Sequence, residues 1–262
     1  MRIAAIYDIH GNLPALQAVL ADVEAANVDL ILAGGDVASG PMPTETLDLL
    51  MALGTRARFI RGNADREVVS RYDQGAGTTA ATADDPAGRA LAWTAERISR
   101  AQRDFLAEFS EQLTLQITGL GSAFFCHGSP RGDEEMITPA TPSCRVQDML
   151  VGVDQDCVVC GHTHMQFDRV IAGKRVINAG SVGMPYEGKS GAYWVLLGPD
   201  VSFRLTLYDF EEAARMIRAG GYPDAEEFAR ANVLNPPTAA EATAVFEKLA
   251  QERFAARGGA GD

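Results

Sequence analysis

The sequence is short of basic residues and of long apolar runs, and each shortage excludes a class of protein. Its 262 residues include 23 lysines and arginines against 35 aspartates and glutamates, a formal net charge of -12. A broad nucleic-acid-binding face needs clustered lysine and arginine, so we expect no nucleic-acid partner. The chain has no uninterrupted apolar run of about 18 residues, which excludes a membrane-spanning helix and a membrane partner.

Cysteine is scarce too, and the four cysteines do not suggest a disulfide framework. Cys157 and Cys160 have the spacing of a redox or zinc pair. They lie, however, in an apolar run that predicts a buried strand, where residues i and i+3 point to opposite faces. We therefore expect buried, reduced thiols. Reduced thiols demand no oxidising compartment, so we expect a bacterial cytoplasmic location. Because the first strand starts at Arg2, we also expect no secretory signal peptide.

Histidine is the third scarce residue, and all four histidines follow short apolar runs. His10, His127 and His162 each stand next to a glycine, and His164 comes two residues after His162. Alternate residues of an extended segment point to one side, so His162 and His164 could face one ligand. They could equally face two ligands if the chain turns there.

Oxygen-bearing side chains follow the same kind of apolar run. Asp8 precedes His10, Asp36 follows the run 30–33, and Asn63 follows the run 58–61. In an α/β sheet such strand ends converge on one edge, where ligands bind. Imidazole, carboxylate and carboxamide groups together suit Mn, Fe, Zn or Ni. The seven residues of these types are too many for one ion and enough for two, which predicts in-line displacement at phosphorus or a related hydrolysis.

Five motifs, in this order, resemble the signature of the calcineurin-like metallophosphoesterases. They are Asp8-x-His10, Gly35-Asp36, Gly62-Asn63-x-Asp65, His127-Gly128 and Gly161-His162-x-His164. A later Asn178-Ala179-Gly180-Ser181 segment resembles the small bacterial members of that family. The motifs span residues 8 to 164 and include every histidine of the chain.

The resemblance implies a binuclear site with a ligand set and roles. The first metal would take Asp8, His10 and His164; the second would take Asn63, His127 and His162; Asp36 would bridge both. A hydroxide between two divalent ions would be the nucleophile. Asp36, Asn63 and His127 are the residues we expect to take part in catalysis, with Mn²⁺ as the first choice of ion and Fe, Zn or Ni as alternatives.

One position departs from the family's commonest pattern. Many members carry a histidine after the motif asparagine, which is thought to protonate the leaving group, but here Ala64 follows Asn63. Some small bacterial phosphodiesterases of the family lack that histidine as well. Arg61, Arg66 and Arg131 are candidates for phosphate contact, with solvated charge or helix-end pairing as the alternative.

The resemblance implies a two-metal phosphohydrolase with a small phosphate-ester substrate. We expect a phosphodiesterase on nucleotide-like or activated diesters. A phosphomonoesterase, a protein phosphatase or a dinucleoside polyphosphate hydrolase is the alternative on the same site. A non-catalytic scaffold is the remaining alternative, although a scaffold would be expected to lose ligands and here all seven are present.

The chain order predicts the layers. A β-α-β start implies parallel strands, with Asn12 and Pro14 opening the first helix. Short alternating segments from 113 to 208 predict a second, more antiparallel sheet. The resemblance implies a four-layer α/β/β/α sandwich of two mixed sheets. We place the catalytic domain at residues 1–209 with a helical insert at about 64–112, and a C-terminal helical extension at 210–262. Gln74 to Asp85 predicts a mobile loop, and 258–262 a frayed end.

Overall fold

The computed structural model describes residues 1–75 and 85–256 as two five-stranded sheets packed face to face, with helices outside them. Most of the loop predicted at 74–85, and the end predicted to fray, lie outside the described residues. No helix in these two ranges is long and apolar enough to cross a membrane. The predicted α/β sandwich of two mixed sheets is confirmed.

The strands of the described chain are short, at three to six residues each. In chain order they are β1 (Ile3–Ile6), β2 (Leu30–Ala33), β3 (Ala57–Phe59), β4 (Gln112–Ile117), β5 (Gly121–Cys126), β6 (Cys157–Cys160), β7 (Gln166–Ile171), β8 (Lys174–Ala179), β9 (Ala192–Leu197) and β10 (Val201–Thr206).

The helices fall into those between the strands and those after them. They are α1 (Leu13–Ala25), α2 (Pro43–Ala52), α3 (Asn63–Gln74), α4 (Pro86–Arg97), α5 (Arg100–Ala107), α6 (Ser143–Met149), α7 (Phe210–Ala219), α8 (Ala225–Phe228) and α9 (Ala239–Ala256). A π-helical turn at Ala229–Leu234 continues α8. As predicted, the Asn12 side chain caps α1 by accepting from the backbone N–H of Ala15.

The strand order of the two sheets corrects one prediction. The first sheet runs β10–β9–β1–β2–β3 and the second β4–β5–β6–β8–β7. The expectation that the later strands all build the second sheet is wrong for β9 and β10, which join β1 in the first. Each sheet has two parallel and two antiparallel pairs, so the second is not the more antiparallel one. An apolar strand pattern shows that both faces are covered, but not which strand is its neighbour.

Alternation along β1 and β6 divides the core into layers. Ala4 and Ile6 of β1 pack on the helix side, while Ile3 and Ala5 pack between the sheets. In β6, Cys157 lies in the inter-sheet core and Cys160 in the outer core beside α6. The two thiols therefore face opposite sides of the sheet, as predicted, and both are free and buried.

Two of the C-terminal helices, α7 and α8, share a separate apolar cluster with α4. Ala90 of α4 packs in it with Ile217 of α7, Tyr222 and Phe228. The ring of Trp93 meets that of Tyr222 edge-on, with centroids 5.8 Å apart. This cluster places the segment after β10 beside the strand ends described next.

Candidate metal centre

The candidate ligands lie where the carboxyl ends of strands from both sheets meet. Asp8 and His10 follow β1, Asp36 follows β2, and Asn63 follows β3, all in the first sheet. His127 follows β5, and the pair His162 and His164 follows β6, in the second sheet. The predicted convergence is present, but the meeting edge belongs to two sheets rather than one.

The structure brings six of these side chains together in two groups of three. One group is Asp8, His10 and His164; the other is Asp36, His127 and His162. Within each group the candidate ligand atoms all lie within 4.8 Å of one another. The seventh residue, Asn63, opens α3 and lines a cavity together with His10 and Asp36.

Four of these residues have a buried polar atom without a hydrogen-bond partner. The atoms are Asp8 Oδ1, Asn63 Oδ1, His127 Nε2 and His162 Nε2. Leaving a buried donor or acceptor unsatisfied costs about 1–3 kcal/mol, so a cluster of such atoms needs a compensating partner. Nitrogen and oxygen donors in this combination suit divalent transition metals, and the residues present therefore fit such ions.

Backbone carbonyls orient three of the histidine rings. The Nδ1 atoms of His10, His127 and His164 lie 3.2, 2.9 and 2.8 Å from the carbonyl oxygens of Ser39, Gly34 and Met184, respectively. Histidines that bind metals commonly donate the other ring N–H to such an acceptor, which fixes the tautomer. Donation from Nδ1 leaves Nε2 as the free lone pair, and in all three rings Nε2 faces the carboxylates.

One oxygen of each carboxylate faces histidines of both groups. Asp36 Oδ2 lies 3.4 Å from His127 Nε2 and 3.9 Å from His10 Nε2. Asp8 Oδ1 lies 3.3 Å from His164 Nε2 and 3.8 Å from His127 Nε2. Both carboxylates therefore stand between the two groups.

Backbone amides hold the other oxygen of each carboxylate. Asp36 Oδ1 accepts the N–H of Ala64 at 2.8 Å, and Asp8 Oδ2 accepts that of His162 at 2.9 Å. These bonds aim Asp36 Oδ2 and Asp8 Oδ1 inward. A single oxygen of Asp36 thus faces both groups, a detail that the sequence could not supply.

The buried charged groups of the site shift one another's pKa values. Burial lowers the pKa of His127, but the carboxylates of Asp36 and Asp8 more than offset this and raise it to about 10. Burial and the neighbouring His127 lower the pKa of His162 to about 4. Burial opposes ionisation of Asp36, yet His127 and His10 hold its pKa well below the usual range. The carboxylates thus favour positive charge at this point of the site, which a bound cation would supply.

The backbone at the ligands is strained. Asp8, His10, Asp36, His162 and His164 all have positive φ, between 47° and 66°. Such values are uncommon for residues other than glycine and mark positions that the surrounding structure enforces.

Hydrogen bonds between the β1 and β2 loops enforce this conformation. The N–H of Asp8 donates to Gly35 O at 3.1 Å, and that of His10 donates to Asp36 O at 2.9 Å. Gly62 is also required, since a Cβ there would lie 2.1 Å from Asp36 Oδ1.

Asp65 is a positioning residue to which the sequence argument assigned no role. It is fully buried, and its carboxylate accepts the backbone N–H groups of Asp36, Val37 and Gly62 at 2.8 to 2.9 Å. It therefore ties the loop that carries Asp36 to the first turn of α3, which carries Asn63. Its place in the motif, two residues after Asn63, was the only available signal.

The segment 178–181 supports the loops from behind. Asn178 donates to Gly161 O at 2.7 Å, next to His162. Ser181 donates from its hydroxyl to Asp8 O at 2.7 Å. These side chains hold the backbone of the ligands and do not point at the ligand atoms themselves.

The three predicted phosphate-binding arginines are all engaged by acidic residues. The pairs are Arg61–Glu111 at 2.7 Å, Arg66–Asp133 at 2.9 Å and Arg131–Glu135 at 2.5 Å. Arg61 and Arg131 line a polar cavity of about 250 Å³ that also reaches His127. Among the residues with described positions, none of the three lines the cavity over His10, Asp36 and Asn63. Phosphate contact by these arginines stays a prediction.

That cavity, of about 360 Å³, opens directly onto the ligand cluster. Its size falls in the roughly 300–1,000 Å³ range of small-molecule sites. Apart from the ligands, its lining comes from Ser39, from the first two turns of α3 and α4, from Met184, and from the segment 222–232. The site therefore combines a metal-binding floor with room for an organic group.

Comparison with known proteins gives a consistent result. Residues 1–197 match the calcineurin-like phosphoesterase superfamily domain. An uncharacterized protein of Methanocaldococcus jannaschii is 27% identical over 249 residues, covering 85% of this chain and 94% of that protein.

Two solved structures resemble the whole sandwich. A metallophosphoesterase from Sphaerobacter thermophilus is 27% identical, with a TM-score of 0.67, covering 89% of this chain and 99% of that one. A hypothetical protein from Pyrococcus horikoshii OT3 is 22% identical, with a TM-score of 0.78 and coverage of 90% and 99%. At that identity the second likeness concerns the fold alone.

Proposed function

Since the chain belongs to the calcineurin-like phosphoesterase superfamily and is a metal-dependent phosphoester hydrolase, we propose that it is a two-metal phosphodiesterase acting on small nucleotide-like or activated diesters. The observation that carries the proposal is the set of four unsatisfied buried atoms, on Asp8, Asn63, His127 and His162. These residues follow four different strands from two sheets, so local folding does not account for their convergence.

The two groups of side chains support a division of the ligands. One ion would be held by Asp8, His10 and His164, the other by Asn63, His127 and His162, with Asp36 between them. When bound, two divalent ions would supply an activated water as nucleophile and offset the charge that develops on the phosphate. Mn²⁺ is the ion we propose first, with Fe, Zn or Ni as alternatives.

The chain's own residues orient and protect this chemistry. The N–H of Ala64 holds one oxygen of Asp36 and directs the other toward His127 and His10. Asp8 and His127 are almost completely buried, whereas His10, Asp36 and Asn63 line the larger cavity and are the ligands that a substrate there would meet first. Proton donation to the leaving group has no histidine available, because Ala64 stands where one would act. This favours diesters with stable leaving groups.

A metal-reconstitution experiment tests the proposal. Chelated protein, shown by elemental analysis to be metal-free, should not hydrolyse bis-(p-nitrophenyl) phosphate. Added Mn²⁺ should restore turnover best and bind at two ions per chain. Full turnover by the metal-free protein would refute the proposal. Faster turnover of p-nitrophenyl phosphate than of the diester would replace the diesterase by a phosphomonoesterase.

We further propose that residues 1–209 form the catalytic domain and that 210–262 form a helical extension packed on it. The shared apolar cluster of α4 with α7 and α8 supports this. The formal net charge of -12 supports a small phosphate ester rather than a nucleic acid as substrate. A cytoplasmic location stays a prediction that rests on the free cysteines.

A further inference from the structure

The outer wall of the cavity is built by residues that lie beyond the part of the chain matched by the family model. Tyr222, Asp224, Glu227, Phe228 and Asn232 line the cavity opposite the ligand cluster. All five come after residue 197, where the match to the family ends. A substrate group that enters the cavity therefore contacts residues outside the matched domain as well as the ligand cluster.

The wall is apolar and aromatic in its middle. The rings of Tyr222 and Phe228 meet edge-on, with centroids 5.8 Å apart. Leu91 of α4 and Met184 add aliphatic surface beside them. Aromatic rings in such a wall bind other rings, and their faces attract cations.

The charges on the lining are all negative. Glu67, Asp224 and Glu227 line the cavity together with Asp36, and no lysine or arginine does so among the residues the structure describes. Away from the ligand cluster, a second phosphate or a carboxylate on the substrate would therefore meet carboxylates and no cationic side chain.

Two of these carboxylates have their own arginines. Asp224 accepts from Arg89 at 2.8 Å, and Glu227 accepts from Arg230 at 2.6 Å. Their charges are largely compensated, so neither accounts for the negative field of the cavity.

Glu67 differs, because its neighbour Arg66 is shared. Arg66 lies 3.9 Å from Glu67, but it binds Asp133 at 2.9 Å and Glu134 at 2.8 Å. One guanidinium thus serves three carboxylates. Outside the ligand cluster, Glu67 is therefore the lining carboxylate whose charge is least compensated by an arginine.

We propose that this cavity receives one organic substituent of the phosphodiester and selects a ring-bearing group without negative charge, preferring one that carries a positive charge. The proposal rests on the proposed diesterase function, because it names the substrate class of the same site. It also disfavours dinucleoside polyphosphates, whose distal phosphates would face Glu67 and the wall.

Binding of a charge series tests the selection without turnover. Phenylphosphonate, its 4-carboxy derivative and its 4-trimethylammonio derivative are titrated calorimetrically into the Mn²⁺-loaded full chain, with inorganic phosphate as reference. The cationic ligand should bind best and the carboxylate worst, with about a tenfold ratio between them. Equal affinities, or tighter binding of the carboxylate, overturn the proposal.

Two variants assign the selection to its residues. Glu67→Gln should reduce the tenfold ratio to about threefold, whereas Glu226→Gln, on α8 but paired with Arg218 outside the cavity, should leave it unchanged. Phe228→Leu should weaken the three aryl ligands about threefold more than inorganic phosphate. If that variant does not fold, Leu91→Ala makes the same test from α4.

The outcomes separate this proposal from the diesterase function. An unchanged ratio in Glu67→Gln overturns the role of the charge, and equal weakening of phosphate and aryl ligands overturns the role of the wall. If the binding order holds but no nitrophenyl diester is hydrolysed, the pocket stands and the diesterase proposal fails. If diesters are hydrolysed but the ligands show no charge preference, the diesterase proposal stands and the proposal for the cavity fails.

Discussion

The floor and the outer wall of the cavity differ in polarity, in backbone strain and in how far their polar groups are paired. The floor is polar, and its Asp8, His10, Asp36, His162 and His164 adopt strained backbone conformations. The outer wall, Tyr222 to Asn232, is helical and packs through an apolar cluster, and its acidic residues are paired with arginines. The floor contains ligand atoms that lack hydrogen-bond partners, whereas the acidic side chains of the wall are paired with arginines.

This difference separates two tasks. Metal binding needs atoms that folding leaves without partners, and the neighbouring loops must hold them in place at a cost in backbone strain. Selection of a substituent needs only shape and charge, which a well-packed helical segment provides. Changes to the floor should therefore alter metal binding and turnover, and changes to the wall should alter affinity or stability alone.

The largest effect should follow from Asp36→Asn. Asp36 Oδ2 faces both ligand groups, so the variant loses the charge they share. We expect turnover of bis-(p-nitrophenyl) phosphate to fall by more than the roughly 10²–10³-fold that loss of one transition-state donor costs. Elemental analysis should show reduced occupancy of both ions. A variant with two ions and native turnover would show that Asp36 is not the bridge.

The second-largest effect should be a gain of activity in Ala64→His, at the boundary between floor and wall. Ala64 lines the cavity and has no acid to offer the leaving group. Ala64→His should raise the rate for alkyl leaving groups by about 10²-fold, the lower end of what general acids contribute. Nitrophenyl esters should gain little, because nitrophenolate leaves unaided.

The measurement is a plot of log rate against leaving-group pKa for both proteins. A steep slope is expected for the native chain and a shallower one for Ala64→His. A shallow native slope that the substitution leaves unchanged would mean that another group already serves as the acid.

Asp65→Asn should have a smaller effect on the floor. Its carboxylate accepts three backbone N–H groups, and an amide would turn its NH₂ toward one or more of them. Loss of such support around a metal site typically costs about 10–100-fold in affinity or activity. Calorimetric Mn²⁺ binding should weaken accordingly. Asp73→Asn, at the exposed end of α3 beside Arg103, is the control and should bind Mn²⁺ normally.

The smallest effect should come from Glu247→Gln, which changes stability and leaves the floor intact. Glu247 of α9 accepts from the hydroxyls of Thr138 and Thr141 and from Arg145. Burial raises its pKa, but these partners more than offset this and lower it. The native chain should be about 1–3 kcal/mol more stable than the variant at pH 7.

The pH dependence of that difference follows from the lowered pKa. The stabilisation is fully present above the unfolded pKa of about 4.3 and is lost as the pH falls through the folded value. The free energies of unfolding measured in urea should therefore differ between the two proteins at pH 7 and become equal at a pH below the folded pKa of Glu247. Glu252→Gln, a substitution at an exposed position of the same helix, should have the same free energy of unfolding as the native chain at both pH values. A constant difference at every pH would contradict the ionic origin.

Much of the architecture and of the candidate site was predictable from local patterns. Apolar runs predicted β2 and β6, and the scarcity of histidine drew attention to the residues that the structure groups together. Asp65 was not assigned a role because its contacts, to Asp36, Val37 and Gly62, depend on how two loops pack. The phosphate role of Arg61, Arg66 and Arg131 remains a prediction, since each has an acidic partner that no periodicity reveals.

The sequence by itself determined the order of strands and helices and the side chains that follow each strand, because hydrophobic periodicity and residue chemistry are local properties. Only the tertiary structure decided that β9 and β10 join β1, and that Tyr222 and Phe228 form a wall over Asn63. Strand pairing and cavity walls join residues far apart in the chain. Their choice depends on the free energy of the whole packed arrangement, which no single segment encodes.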